Sequence, residues 1–211
     1  MNRNNFTIHF SSSAKGAITR AGDYAHEYIG TIISDADENQ ALGWLKAYVI
    51  DLRGALEQYY ELVDVMEDHS STAEHCLEEL IPHGSLDLNS AIGNAVGFKA
   101  IEQNVLIIEQ IHIERVNLDR EKLIGSIVKS VIHHLGMAVG VAFTMPWVVE
   151  NNLNLTDQMQ PDLREIGFVG VQDSGVMALV LSAQKDSSNS DARQMRVFKD
   201  GEAGAQESLF F

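Results

Sequence analysis

The 211-residue chain contains a single cysteine, three prolines and only half as many basic as acidic residues. Because a disulfide within the chain needs two cysteines, the lone Cys76 excludes an intramolecular disulfide framework and any cysteine-rich zinc module. The shortage of Lys and Arg gives a formal net charge of -15, which repels nucleic-acid backbones and anionic lipid headgroups. We therefore expect a cytoplasmic, acidic protein without non-specific nucleic-acid binding.

The sequence also has no long apolar run. The longest stretch free of charge and histidine, Leu135 to Val149, has 15 residues, fewer than the roughly 20 that a membrane-spanning helix needs. We interpret it as a buried helix or strand. Residues Met1 to Phe6 lack the apolar segment of a secretory signal. The sequence therefore predicts no membrane association.

Apolar residues recur at helical spacing through much of the chain. The spacing predicts a first helix over Ala14–Ile33. The strongest pattern alternates steps of three and four residues and predicts one long helix whose packing seam consists of Leu42, Leu45, Val49, Leu52, Leu56, Tyr59, Val63 and Met66. Such a seam needs a partner helix, either in the same chain or in a second copy of it.

Three further helices are predicted downstream. The capping-box pattern of Ser71–Glu74 predicts a short helix that ends at Leu80. A helical interpretation also fits Asn89–Ile113, although 111–113 could equally be extended. Asn117 can cap a last helix, with an apolar stripe formed by Leu123, Ile127, Val131, Leu135 and Val139.

The clearest strand patterns lie at the two ends of the folded part. Phe6, Ile8 and Phe10 alternate with polar residues and predict a short N-terminal strand. Two apolar runs around a turn predict a β-hairpin over 166–182, which we expect to pair with that strand. The predicted fold is thus mainly α: a helical bundle with a small antiparallel sheet, forming a homodimer through the helical seam or the sheet.

The domain organisation follows from composition. Residues 1–184 are predicted to form a single α-rich domain. Residues 185–204 are rich in small and polar side chains and predict a flexible segment, so that 185–211 is a tail with an apolar end.

The end of the chain, Gln206-Glu207-Ser208-Leu209-Phe210, resembles the bacterial sliding-clamp-binding motif, commonly Gln-Leu-Ser/Asp-Leu-Phe. The resemblance implies that Gln206 is a polar anchor, that Ser208 is a small linker, and that Leu209 and Phe210 enter an apolar pocket. Glu207 departs from the motif by replacing Leu, and Phe211 extends it by one residue. Alternatively, these apolar residues fold back into a groove of their own chain.

This resemblance implies a non-enzymatic accessory or regulatory protein of DNA replication, of bacterial, phage or mobile-element origin. Its partner would be the replication sliding clamp, and the acidic body would act as cargo or as a blocker. An alternative that rests on charge alone is an acidic inhibitor that imitates nucleic acid in a partner's basic groove.

A second candidate site is acidic. Glu57, Glu61, Asp64 and Asp68 follow one another at steps of four, three and four residues. On one helix they would share a face, where carboxylates can hold Mg²⁺ or Mn²⁺. A solvated helix face is the alternative interpretation. Without such a site we expect no cofactor.

Glu61 and Asp64 also resemble a metal-binding motif of the all-helical nucleoside-triphosphate pyrophosphohydrolases. That resemblance implies a metal-dependent nucleotide hydrolase. In the family a preceding helix supplies a Glu-Glu-x-x-Glu motif, from which Asp35-Ala36-Asp37-Glu38 departs.

The histidines form no recognised metal-binding pattern. His69 and His75 lie near Cys76 in the sequence, but their spacing matches no zinc motif. His133 and His134 are adjacent, so on a helix they point to different sides. We therefore expect these side chains to have structural roles.

Overall fold

The structure is a computed structural model of the chain. It describes residues 6–12, 20–35, 37–67, 69–81, 89–90, 93–94, 104–114, 120–136, 139–144, 163–171 and 176–181. The predicted tail, 185–211, lies outside the described residues.

A mixed sheet of seven strands forms the centre of the molecule, in the order β1-β2-β3-β4-β5-β7-β6. In chain order the strands are β1 (Phe6–Ser12), β2 (Ala25–Ser34), β3 (Asp37–Ile50), β4 (Asn104–Ile113), β5 (Val139–Thr144), β6 (Val169–Gly170) and β7 (Met177–Val180). Only the β4–β5 pair is parallel among these neighbours. Parallel neighbours need a crossover connection, and a helix lies between these two strands in the sequence.

Helices pack on both faces of this sheet. After a 3-10 turn at Ala21–Tyr24, the longer helices of the described part of the chain are α1 (Leu52–Glu57), α2 (Leu62–Glu67), α3 (Ser71–Leu80) and α4 (Arg120–Leu135). The first three belong to one hydrophobic cluster and α4 belongs to another. We name the two sides of the sheet the α3 face and the α4 face accordingly.

The central strands are apolar on both sides because both of their faces are covered. On the α3 face, a cluster of fully buried side chains includes Tyr48, Ile50, Leu52, Met66, Leu80 and Phe143. On the α4 face, a second cluster includes Leu45, Ala47, Leu106, Ile127 and Val131. Each large apolar side chain that is fully buried contributes about 1.5–3 kcal/mol, so the two clusters together supply most of the driving force for folding.

The prediction of a mainly α helical bundle is wrong. The seam that was assigned to one long helix is divided among β3, α1 and α2. Tyr59, with a φ of 63°, lies between these two short helices and ends any continuous helix there. A dimer through a long helical seam therefore has no basis in these residues.

Two other helix predictions are wrong because strands occupy the predicted segments. Ala14–Ile33 was expected to be helical, but β2 occupies most of its described part. Asn89–Ile113 contains β4, so the extended alternative for 111–113 is confirmed. In both segments the strands are Ile-rich, and β-branched residues suit a sheet that is covered on both sides.

The C-terminal hairpin exists but pairs elsewhere than predicted. β6 and β7 are antiparallel neighbours, which confirms a hairpin within 166–182. They lie at the opposite edge of the sheet from β1, so the expected pairing with the N-terminal strand is wrong. β7 pairs instead with β5, which lies in the stretch predicted to be a buried helix or strand.

Three local predictions are confirmed. β1 is a strand at the predicted place. The helix expected to end at Leu80 is α3, although its N-cap is Ser70, whose Oγ accepts a hydrogen bond from the Ala73 N–H at 3.2 Å. α4 carries the predicted stripe as far as Leu135, and Val139 begins β5 instead.

The close approach of β3 and β4 at Gly43 can be tested. A Cβ atom at this position would lie 1.9 Å from the His112 carbonyl oxygen. Because backbone cannot move aside easily, we expect Gly43→Ala to lower the free energy of unfolding by about 3 kcal/mol. Urea denaturation followed by circular dichroism measures this change.

Gly170→Ala in β6 is the matched control. A Cβ atom at Gly170 would meet nothing within 4 Å, so we expect a change below about 0.5 kcal/mol. Equal stability of the two variants would contradict the observed pairing of β3 with β4.

Candidate functional site

The predicted clamp-binding residues, Gln206, Ser208, Leu209, Phe210 and Phe211, lie outside the described residues. Their role therefore stays a prediction from the sequence.

The acidic residues do not share one helix. Glu57 ends α1 and pairs with Arg53, whose Nε lies 2.9 Å from its Oε1. Asp64 lies in the first turn of α2, where its Oδ2 accepts a hydrogen bond from the Glu61 N–H at 3.2 Å. Asp68 lies outside the described residues.

These contacts give the side chains of Glu57 and Asp64 local partners. Within the described part of the chain, no group of three or more His, Cys, Asp or Glu residues is placed to hold a metal ion. The stacking of four carboxylates on a single helix, on which the metal prediction depended, is wrong. The sheet-rich fold also differs from the all-helical fold that the pyrophosphohydrolase resemblance implied.

His69 and His134 contact backbone carbonyl groups, and Cys76 is buried. His69 Nε2 lies 2.7 Å from the Gly22 carbonyl oxygen and so anchors the α2–α3 loop to the 3-10 turn. Cys76 is buried in α3, and burial raises the pKa of its thiol to about 12. His134 Nδ1 lies 2.9 Å from the Ser130 carbonyl oxygen, one turn earlier in α4.

A polar cluster that the sequence analysis did not identify lies on the α3 face. It consists of Glu27 on β2, Lys46 and Tyr48 on β3, Glu109 on β4, and Ser70 at the start of α3. We call these five residues the Lys46 network. Three neighbouring strands and one helix N-terminus bring them together, although the chain separates Glu27 from Glu109 by more than 80 residues.

Lys46 is the centre of this network. Its Nζ lies 3.3 Å from Glu27 Oε2 and 3.3 Å from Glu109 Oε2. It also lies 5.1 Å from the centre of the Tyr48 ring, within the range of a cation–π contact. Tyr48 donates a hydrogen bond of 3.1 Å to Glu27 Oε2, and Ser70 donates one to Glu109 Oε1.

A β-bulge interrupts β4 at Glu109. The register between β3 and β4 shifts between Lys46 and Ala47, so that Lys46 is opposite Gln110 while Ala47 is opposite Ile108. Because Val105 and Ile107 belong to the cluster on the α3 face, the alternation along β4 places Glu109 on that face as well. Glu109 is the extra residue of the bulge, and its carboxylate contacts Lys46.

The surroundings of Lys46 and Tyr48 determine their protonation states. Burial by itself would lower the pKa of Lys46, but hydrogen bonding to Tyr48 and the charge of Glu109 outweigh it and raise that pKa. Burial also raises the pKa of Tyr48, and the nearby Glu109 charge adds to the effect. Lys46 therefore remains an ammonium and Tyr48 a neutral phenol at neutral pH.

The Lys46 network consequently has a structural role: it links three strands of the sheet to the start of α3. A permanently protonated lysine is neither a base nor a nucleophile. The Ser70 hydroxyl is engaged twice, as donor to Glu109 and as acceptor from the Ala73 N–H. Glu109 Oε2 is buried without a hydrogen bond, and its contact among the described residues is the Lys46 charge.

An aromatic pair continues the same face beyond the Lys46 network. The rings of Trp44 and His112 stack with their centres 5.7 Å apart and their planes at 25°. Both residues are half-buried, and their strands are paired at this position. The stack therefore extends the side-chain contacts between β3 and β4 on the α3 face, beyond the Lys46 network.

Comparisons with protein-family models, with curated proteins and with solved structures give no match to this chain. In the part of the chain that the structure describes, no helix has the length and apolar character to span a membrane. The function must therefore be argued from the residues themselves.

The structural role of the Lys46 network predicts a loss of stability when the Lys46 ammonium group is removed. In Lys46→Met the carboxylates of Glu27 and Glu109 lose their shared cation. Breaking a fully buried pair costs about 3–5 kcal/mol. Because the Lys46 side chain is 21% exposed and that of Glu109 9%, we expect a loss of about 2–3 kcal/mol in urea denaturation.

Arg53→Met is the matched control for this experiment. It removes the exposed pair with Glu57, whose side chains are 65% and 62% exposed, and should change stability by less than about 1 kcal/mol. If Lys46→Met were no more destabilising than Arg53→Met, the structural role of the Lys46 network would be wrong.

Burial of Cys76 predicts thiol protection. With its pKa raised to about 12, the thiolate fraction at about pH 8 is roughly 10⁻⁴, against about a quarter in the unfolded chain. We expect iodoacetamide to label the native chain about three orders of magnitude more slowly than the urea-unfolded chain. Equal labelling rates, measured by mass spectrometry, would show that Cys76 is accessible.

Proposed function

We propose that this chain is a cytoplasmic accessory protein of DNA replication that docks on the bacterial sliding clamp through residues 206–210. The terminal sequence Gln206-Glu207-Ser208-Leu209-Phe210 carries this proposal. Gln206 supplies the polar contact, and Leu209 with Phe210 supplies the apolar pair. The folded body is then the cargo that the motif brings to the clamp.

The energetics of such docking favour a reversible complex. Full burial of Leu209 and Phe210 would contribute about 1.5–3 kcal/mol each. The cost of ordering the segment that carries them reduces this gain. Glu207 places a charge where the motif commonly has an apolar Leu, so one apolar contact is missing. The proposed complex is therefore weaker than that of a chain with the common motif.

Tethering explains how a weak contact can be useful. Residues 182–205 separate the last described residue from the motif. A flexible connection raises the local concentration of the body near the clamp without a rigid interface between them. In this proposal the body acts through its position at the clamp. A structural role of the Lys46 network is consistent with such a body.

The proposal is tested by binding of the full chain to purified sliding clamp. The double variant Leu209→Ala, Phe210→Ala removes the apolar pair and should weaken binding by roughly 100-fold or more. The matched control is Val197→Ala, Phe198→Ala, which removes an apolar pair from the same predicted tail. We expect the control to bind like the unmodified chain in a surface plasmon resonance titration.

A gain-of-function variant sharpens this test. Glu207→Leu restores the common motif and should tighten binding by roughly 10-fold, since it adds an apolar contact and removes a charge. Absence of clamp binding by the unmodified chain would overturn the proposal. Binding that survives the double substitution and weakens with salt would favour the nucleic-acid-mimic alternative instead.

A further inference from the structure

The two edges of the sheet differ in length. At one edge β6 has two residues, Val169–Gly170. At the other edge β1 has seven residues, Phe6–Ser12, and among the described strands it pairs only with β2. Alternate backbone N–H and C=O groups on the outer side of such a strand point away from the sheet and can pair with another strand.

The residues described for β1 carry none of the sequence features that protect an edge strand. Natural edge strands carry charged residues, proline or a bulge, or they are very short. The segment Phe-Thr-Ile-His-Phe-Ser-Ser contains no Lys, Arg, Asp, Glu or Pro. Its pairing with β2 is also regular over all seven residues, without a bulge. Backbone and side chains together thus leave the outer side of β1 suited to strand pairing.

The side chains of β1 are divided between the two faces of the sheet. Phe6, Ile8 and Phe10 are half-buried and pack against the cluster on the α4 face. Thr7 and His9 are exposed. An apolar row therefore runs along the edge and retains some exposed surface, which another strand could cover.

We propose that β1 pairs with β1 of a second copy of this chain, antiparallel and about a twofold axis at Ile8. The segment Phe6–Phe10 reads almost the same in both directions, Phe-Thr-Ile-His-Phe. In this register each Phe6 is opposite Phe10 of the other copy, and the two Ile8 residues are opposite each other. Aromatic and β-branched cross-strand pairs of this kind are stabilising, and an isologous twofold contact closes after two copies.

Other registers fit less well. A shift of two residues places Phe6 opposite Ser12 and the two His9 side chains opposite each other. The register about Ile8 pairs every apolar residue of the row with another apolar residue. Thr7 is then opposite His9, so no identical ionisable side chains are directly opposed.

Two side chains of β1 already have contacts within their own chain. The Phe10 ring lies 5.8 Å from the His134 ring at the end of α4, and Thr7 Oγ1 donates a hydrogen bond of 2.8 Å to Asp35 Oδ1. An edge strand whose side chains are already held by such contacts loses less conformational entropy on pairing.

The net charge of the chain opposes association. Because each copy carries a net charge of -15, the two bodies repel each other, and added salt should strengthen the dimer.

The test compares two charge patterns at the same two exposed positions of the full chain. In Thr7→Lys, His9→Lys, the proposed register places Lys at 7 opposite Lys at 9 of the other copy, twice in each dimer. In Thr7→Lys, His9→Glu, it places Lys opposite Glu. Both variants lose the same Thr7 hydroxyl, so any effect on the edge of the monomer fold is shared.

Sedimentation velocity over a concentration series measures the outcome. We expect the unmodified chain to dimerise, more strongly at higher salt. The Lys–Lys variant should weaken the dimer by roughly 10- to 100-fold, and the Lys–Glu variant should retain it. Circular dichroism checks that both variants keep the fold.

Each other outcome overturns the proposal. A monomeric unmodified chain would exclude the dimer. Equal dimerisation of the two variants would place the interface elsewhere, and loss of the dimer in both would exclude the antiparallel register about Ile8. Because clamp binding is not part of this measurement, its result is independent of the proposed function.

Discussion

Burial of β3 and β4 on both faces is the constraint on which the rest of the fold depends. β3 and β4 pair with each other and are flanked by β2 and β5, so their polar backbone is satisfied within the sheet. Their side chains must then be apolar in both directions, as in the runs 47–50 and 105–108. Two apolar faces need two covering layers, and α1–α3 and α4 provide them.

The bulge in β4 reconciles this constraint with the Lys46 network. Leu106, Ile108, Ile111 and Ile113 all belong to the cluster on the α4 face, although a regular strand would send Ile108 and Ile111 to opposite sides. The extra residue at Glu109 changes the alternation, so that Ile111 and Ile113 return to the α4 face. Glu109 itself shares the α3 face with Ile107 and carries the carboxylate that Lys46 and Ser70 contact.

The Lys46 network therefore links the sheet to the loop that precedes α3. Tyr48 continues it into the apolar cluster, since its ring is fully buried while its hydroxyl contacts Glu27. A half-satisfied polar group at this depth would cost more than an apolar one. The mutual pairing of these residues explains how charged side chains can lie beside a hydrophobic cluster.

The elements predicted correctly from the sequence are those whose signals lie close together in the chain. α3 was predicted because its capping signal lies within a few consecutive residues, and α4 because only one of its sides is apolar. In β3, by contrast, nearly every residue from 42 to 50 is apolar, so that a subset at steps of three and four always exists and imitates a helical seam. A local signal against the long helix was present in Asp51, which caps α1 by accepting a hydrogen bond from the Gly54 N–H.

The Lys46 network could not be predicted in the same way, because its members meet only after the strand order and register are known. Its one sequence signal was the occurrence of single charges, Lys46 and Glu109, inside otherwise apolar segments. A buried charge generally needs a partner of opposite sign. That rule suggests a pairing between the two segments without indicating which other residues join them.

The two proposals together have a consequence that neither has alone. A dimer through β1 would carry two copies of the terminal motif, and the second would bind at the effective concentration set by the connecting residues 182–205. For a target with two pockets within reach, weak docking by each motif then becomes strong binding by the pair. Glu207, by weakening the single contact, would make clamp binding depend on dimerisation. A Lys–Lys variant that is monomeric yet binds clamp as tightly as the dimer would show that the two properties are separate.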